Sequence, residues 1–89
     1  YFRIDAHTTE AQKETVLVLL KEKGGLKKIS GLLVQSLETT DGYKHRMENA
    51  WLLIRPSGTE PVLRVYAEAE SEELAERMVI DALSQLGIS

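Results

Sequence analysis

Seven consecutive residues, Arg55-Pro56-Ser57-Gly58-Thr59-Glu60-Pro61, stand between two apolar runs, Trp51-Leu52-Leu53-Ile54 and Val62-Leu63-Arg64-Val65-Tyr66. Prolines close to both ends make this the most constrained stretch of the chain. Each proline fixes its own φ and pushes the residue before it toward extended geometry, so Arg55 and Glu60 are held near strand-like dihedrals while the residues between them turn. The flanking runs then read as a strand entering a bend and a strand leaving it.

The bend has two readings. Turn-forming Pro, Ser and Gly suit a plain hairpin connection. They also suit an anion-binding turn. Arg55 offers a planar fork of donors that matches phosphate, Ser57 and Thr59 offer hydroxyls, and Gly58 lets an oxyanion approach the backbone amides without meeting a side chain. A second arginine, Arg64, follows on the outgoing strand; neither it nor the two hydroxyls is needed by a plain turn. Glu60 argues the other way, since a carboxylate beside phosphate repels it unless turned aside or paired.

RPSGTEP, followed by VLRVYAEAE, preceded by WLLI and by an upstream Asp41-Gly42, closely resembles the C-terminal domain of the alpha-D-phosphohexomutases, the family of phosphomannomutase/phosphoglucomutases and phosphoglucosamine mutases. The resemblance is strongest over residues 41 to 70, and the order of elements agrees across the rest of the chain. In that family the loop binds the substrate phosphate that is not being transferred. The resemblance implies this role for Arg55, Ser57, Gly58 and Thr59, and extends less strongly to Arg64. It also implies that the phosphorylated serine and the magnesium (Mg2+) ligands lie in other domains, so that no catalytic residue, metal ligand or cofactor is expected in this chain.

Length and composition bound the remainder. Eighty-nine residues with 43% hydrophobic content suffice for one domain with a modest core, spanning residues 1–89. The chain opens at Tyr1 rather than methionine and runs straight into a strand-like pattern, which reads as a C-terminal piece of a longer, multidomain polypeptide. It has no cysteine, hence no disulfide framework or thiolate zinc site, in keeping with a reducing cytoplasm. No apolar run approaches membrane-spanning length, and a net charge of −3 with a pI near 5.4 argues against a general nucleic-acid surface. An anion site here must be local.

In chain order, Phe2 to His7 alternates apolar and polar residues as a half-buried strand does. Thr8 or Thr9 can cap the helix that follows, with Glu10 near its positive end and Lys21 and Lys23 near its negative end; Val16, Leu19 and Leu20 form its buried stripe, widened by Leu17 and Val18. Gly24 to Gly31, with three glycines and two lysines, reads as a surface loop with Ile29 a candidate anchor. Residues 32 to 47 carry extended character interrupted by Thr39-Thr40-Asp41-Gly42, and the pattern leaves open one bent strand or two. Glu48-Asn49-Ala50 suits a hairpin turn. Ser71 can cap a final amphipathic helix in which Leu74, Ala75, Met78, Val79, Ala82, Leu83 and Leu86 recur at three and four, with Gly87 as its stop. Leu74 stands where a capping box needs Glu or Gln, so that cap is one-sided.

This order, β-α-β-β-β-α, predicts an α+β two-layer sandwich: a four-stranded, mainly antiparallel sheet with both helices on one face. Alternation turns Leu52, Ile54, Leu63, Val65 and Ala67 toward the helices and Trp51, Leu53, Arg55, Arg64, Tyr66 and Glu68 away from them. Both arginines then share the open face. Trp51, Leu53 and Tyr66 beside them suit docking against another part of a larger protein, or coverage by loops or side-chain stems. His7 and His45 have no metal-like spacing, and Ser57 has no adjoining base to activate it.

The resemblance implies a phosphate-gripping domain whose partners are a hexose phosphate and the remaining domains of its polypeptide, and composition adds no nucleic acid and no membrane. The domain alone is expected to be inactive; the full enzyme, by the same resemblance, would interconvert hexose 1-phosphate and 6-phosphate as an intramolecular phosphotransferase. A phosphoglucosamine mutase domain is a close variant. A ferredoxin-like interaction or regulatory module, binding through its open sheet, is the reading from another class.

Overall fold

The computed structural model describes residues 1–88. Its elements are β1 (Phe2–His7), α1 (Glu10–Glu22), β2 (Lys28–Ile29), β3 (Leu32–Leu33), β4 (Ser36–Glu38), β5 (Tyr43–Met47), β6 (Ala50–Pro56), β7 (Val62–Glu68) and α2 (Glu72–Gln85). The fold is α+β. A wholly antiparallel sheet has the order β1-β7-β6-β5-β4, and β2 and β3 form a separate two-stranded ribbon.

The main sheet therefore has five strands rather than the four expected, and the difference arises at Asp41-Gly42. Gly42 has φ +118°, and a Cβ on it would lie 2.9 Å from the Ile54 carbonyl oxygen, so only glycine lets the chain turn this close to β6. The turn folds residues 36–38 back on β5, where Ser36, Leu37 and Glu38 pair with Arg46, His45 and Lys44. Residues 32–47 are thus three short strands. The predicted loop at 24–31 also contains structure: Ser30 (φ +48°) and Gly31 (φ +81°) make the tight turn joining β2 to β3, while Leu26 and Ile29 are buried.

Burial follows the alternation. Leu52, Ile54, Leu63, Val65 and Ala67 are fully buried and meet Val16 and Leu20 of α1 and Ala75, Met78, Val79 and Ala82 of α2 in one core. Val18 does not widen the α1 stripe; it is exposed. Thr9, not Thr8, caps α1 in a reciprocal box with Gln12, and Ser71 caps α2 through Leu74 N–H alone. Gly87 (φ +80°) ends α2, with its own N–H on Ser84 O and Ile88 N–H on Leu83 O.

The opposite face of the sheet carries the outward set. Neither ring there lies bare: the Lys44 ammonium stands 4.5 Å from the Trp51 ring centre and the Arg3 guanidinium 5.9 Å from that of Tyr66, while Trp51 Nε1 donates to Glu68. Long cationic stems cover the aromatics.

Candidate anion site

Antiparallel pairing of β6 with β7 sets Arg55 directly across from Arg64 and Leu53 across from Tyr66, all on the open face. The strands end at Pro56 and resume at Val62, and the five residues between are shaped by hydrogen bonds to their own backbone. Ser57 N–H donates to Val62 O at 3.0 Å, and Val62 N–H donates to Glu60 O at 2.8 Å, a tight turn about Pro61. Ser57 is itself buried, and its Oγ accepts long bonds from Thr59 N–H (3.4 Å) and Glu60 N–H (3.3 Å). Its hydroxyl oxygen thus organises the loop, while its proton has no acceptor among the described residues.

From below, Thr8 and Lys13 hold the far side of the bend. Pro61 O accepts from Thr8 N–H (2.8 Å) and Thr8 Oγ1 (3.1 Å), and Glu60 O accepts from Lys13 Nζ (3.0 Å). Both carbonyl oxygens are thereby committed to inward donors. The Gly58 N–H has no acceptor among the described residues. Gly58 also lacks a conformational reason to be glycine, since its φ is outside the left-handed range and a Cβ would meet nothing within 4 Å.

The result is a shallow depression of about 500 Å³ lined by Arg55, Pro56, Ser57, Gly58, Arg64 and Tyr66. Four of the five residues singled out from sequence, Arg55, Ser57, Gly58 and Arg64, meet there. Thr59 and Glu60 are exposed in the same loop, and neither lines the depression. Tyr66 is an addition, placed by the register one step along from Arg64. Among the described residues neither arginine has a carboxylate within ion-pairing distance, whereas Arg46 pairs with Glu38 and Arg3 with Asp5 at 3.7 Å.

Sequence alone does not single out Lys13, and it offers Thr8 only as a helix cap. A signal for Lys13 exists: it precedes Val16 by three and Leu20 by seven, on the buried stripe of α1. His45 lies in the core instead of in a site. Its Nε2 accepts from Leu26 N–H at 3.1 Å, and its Nδ1 faces Tyr43 O and Leu52 O at 3.0 and 3.2 Å, which fixes the Nδ1–H tautomer. A larger groove of about 710 Å³ between β1 and α2, with Ile4, Ala6, Ile80 and Leu83 in its lining, is mostly apolar and gathers no charged or donor cluster. Among the described residues no group of three His, Cys, Asp or Glu could hold a metal, and no helix is long and apolar enough to cross a membrane.

Residues 7–83 match the family model of the phosphoglucomutase/phosphomannomutase C-terminal domain, a span that contains the whole loop and both arginines. The chain belongs to this family. It is 42% identical over 82 residues to a phosphoglucosamine mutase of Methanocaldococcus jannaschii, covering 84% of this chain and 17% of that protein. It is 38% identical over 76 residues to a phosphoglucomutase/phosphomannomutase of Thermococcus kodakarensis, covering 83% of this chain and 15% of that one. A probable phosphoglucosamine mutase of Methanopyrus kandleri is 48% identical over 42 residues, 47% of this chain and 9% of the relative. The chain therefore spans less than a fifth of the length of these family members.

Proposed function

We propose that this chain is the substrate-phosphate-binding domain of a phosphohexomutase, gripping the phosphate that is not in transfer while chemistry proceeds at the other end of the sugar. One observation carries the reading: Arg55 and Arg64, opposite each other and, among the described residues, without a carboxylate partner, line one depression with Gly58, whose N–H has no acceptor among those residues. A phosphate dianion would relieve the repulsion between the two guanidinium groups and accept charge-assisted bonds from both. The depression is open, which suits a grip that must accept either end of a bisphosphorylated sugar as it reorients.

The contribution is positioning and charge neutralisation, so the domain alone is expected to give no turnover. On this reading the magnesium of the full enzyme would be held by other domains of the polypeptide. A cytoplasmic location accords with a sugar-phosphate substrate. The substrate class is a hexose phosphate. The glucosamine form is favoured by the names of two of the three relatives described above and the glucose and mannose forms by the third.

Titration with inorganic phosphate, followed by backbone amide NMR, tests the reading. Movement of the residue 57–60 amides supports it. Silence there, with shifts elsewhere on the open sheet when a protein partner is added, would instead establish an interaction module.

A further inference from the structure

Lys13 is only 9% exposed, and among the described residues its ammonium has no carboxylate within 4.0 Å. Burying an ammonium is unfavourable unless hydrogen bonds and nearby charge offset the lost hydration. A methionine would fill the same place on the α1 stripe without that cost. What the ammonium does instead is bond the Glu60 carbonyl at 3.0 Å, next to the Pro61 carbonyl that Thr8 takes twice. These contacts join residues 47 and 53 positions apart in sequence, and tie the start of α1 to the underside of the loop.

We propose that Lys13, assisted by Thr8, is a positioning residue of the anion site. It holds the Glu60-Pro61 corner down from the buried side and adds a third cation to the field of Arg55 and Arg64. The proposal rests on the phosphate-binding reading above. Carbonyl oxygens repel an oxyanion, and the clamp engages two of them with Thr8 and Lys13, while Gly58, whose N–H has no acceptor among the described residues, lines the depression. The ammonium is partly shielded from water at its bond to Glu60 O, and a partly screened cation that never touches the ligand still adds to its binding. Arg55 and Arg64 grip, whereas Lys13 sets the shape and potential of what they grip against.

The test is titration of the full chain with inorganic phosphate, comparing wild type with Lys13→Met, Lys13→Arg and Thr8→Val and reading backbone amides, the Lys13 ε-methylene signal and the thermal midpoint. In the wild type the Gly58 amide and the Lys13 ε-methylene should move together with one Kd. Lys13→Met, which keeps the stem and removes the charge, should weaken phosphate binding by about three- to tenfold, the scale of one partly screened charge near the ligand. Lys13→Arg should recover part of the loss, and Thr8→Val should lose less, because the Thr8 N–H bond remains. A Lys13→Met protein with a lowered midpoint but an unchanged Kd, measured where it is folded, would make Lys13 purely structural and overturn the proposal. If that variant does not fold, the wild-type signals decide: a Lys13 methylene that stays still while Gly58 moves also overturns it. Loop amides that ignore phosphate in the wild type would remove the phosphate-binding reading itself, an outcome distinct from the other two.

Discussion

Arg55 and Arg64 face each other across β6 and β7 as a directly opposed pair of like charges, with no acid to separate them among the described residues. Opposed residues on adjacent antiparallel strands have Cβ atoms about 4.5–5.5 Å apart, and like charges there are destabilising. The other cations of the same face are engaged: Arg46 with Glu38, Arg3 with Asp5, Lys44 over Trp51. Asp5 stands opposite Arg64 on its other side, yet its ion pair is with Arg3. The sheet thus concentrates unpaired positive charge at the ends of β6 and β7 where the loop begins.

In the full-length polypeptide, Arg55→Ala is expected to weaken substrate binding more than it slows the chemical step, because a group on the distant phosphate holds ground and transition states alike. Hydrogen bonds to charged groups are worth about 1.5–3 kcal/mol, so KM should rise by about one to two decades. Lysine should restore only part of this, keeping the charge but losing the fork. Steady-state kinetics check it; a fall in kcat with KM unchanged would contradict the assignment.

The same pair predicts an unusual stability pattern. Removing either arginine relieves the cross-strand repulsion, so without phosphate Arg64→Ala should be neutral or stabilising by about 0.2–1 kcal/mol. Saturating phosphate should raise the wild-type midpoint by mass action, with about 2.7 kcal/mol expected at a hundredfold excess over Kd, and should do less for the variant. Differential scanning calorimetry with and without phosphate reads both effects.

Much of this was legible from pattern alone. The alternation in Leu52-Leu53-Ile54-Arg55 and Leu63-Arg64-Val65-Tyr66 put both arginines on one face, and the inward residues are the ones found buried. Their direct opposition was not legible, because register depends on how the loop closes, here through Ser57 N–H to Val62 O. Whether residues 32–47 add a fifth strand was left open, because residues 36–38 are too short to show a period and because the tight approach at Gly42 is a tertiary contact. Lys13 was obscured by chemistry: a lysine on an apolar stripe reads as a surface residue until a carbonyl from a distant loop is placed at its end.

His45 gives the fold a pH dependence. Burial, the largest influence, pushes its imidazole below the ordinary value, with the Leu52 and Tyr43 carbonyls acting more weakly in the opposite direction. A proton on Nε2 would also face the Leu26 N–H that now donates to it. The unfolded ring titrates near 6.5. Below that pH the unfolded state binds more protons, so the stability present in full above about 6.5 is lost as pH falls toward the depressed folded value, by up to about 1.4 kcal/mol per pH unit. Glu38, held below the usual carboxylate range chiefly by its hydrogen bond from Arg46, acts in a separate, more acidic window. Denaturant unfolding between pH 7 and 5 should show the slope in the wild type and a flatter one in His45→Gln; equal slopes would assign it elsewhere.

Glycine substitutions separate a turn residue from a ligand cradle. Gly42 has φ +118°, and a Cβ there would press on Ile54 O at 2.9 Å, so Gly42→Ala must strain the backbone or move β6. Gly58 has neither constraint: its φ is ordinary and a Cβ would point into open space. On conformational grounds alone Gly58→Ala should be neutral or stabilising by about 0.4–1 kcal/mol, since alanine reduces the freedom of the unfolded chain. If the Gly58 N–H and its missing side chain serve an oxyanion in the depression with Arg55 and Arg64, the same methyl should obstruct phosphate. The expected pattern is therefore crossed: Gly42→Ala lowers the thermal midpoint, whereas Gly58→Ala keeps or raises it and weakens phosphate binding by about tenfold, the loss of one charge-assisted hydrogen bond. Midpoints and phosphate titrations on the two variants give both axes. Unchanged phosphate affinity in a stable Gly58→Ala protein would show that the ligand does not lie against this amide, leaving the grip to the arginines and the Ser57 hydroxyl.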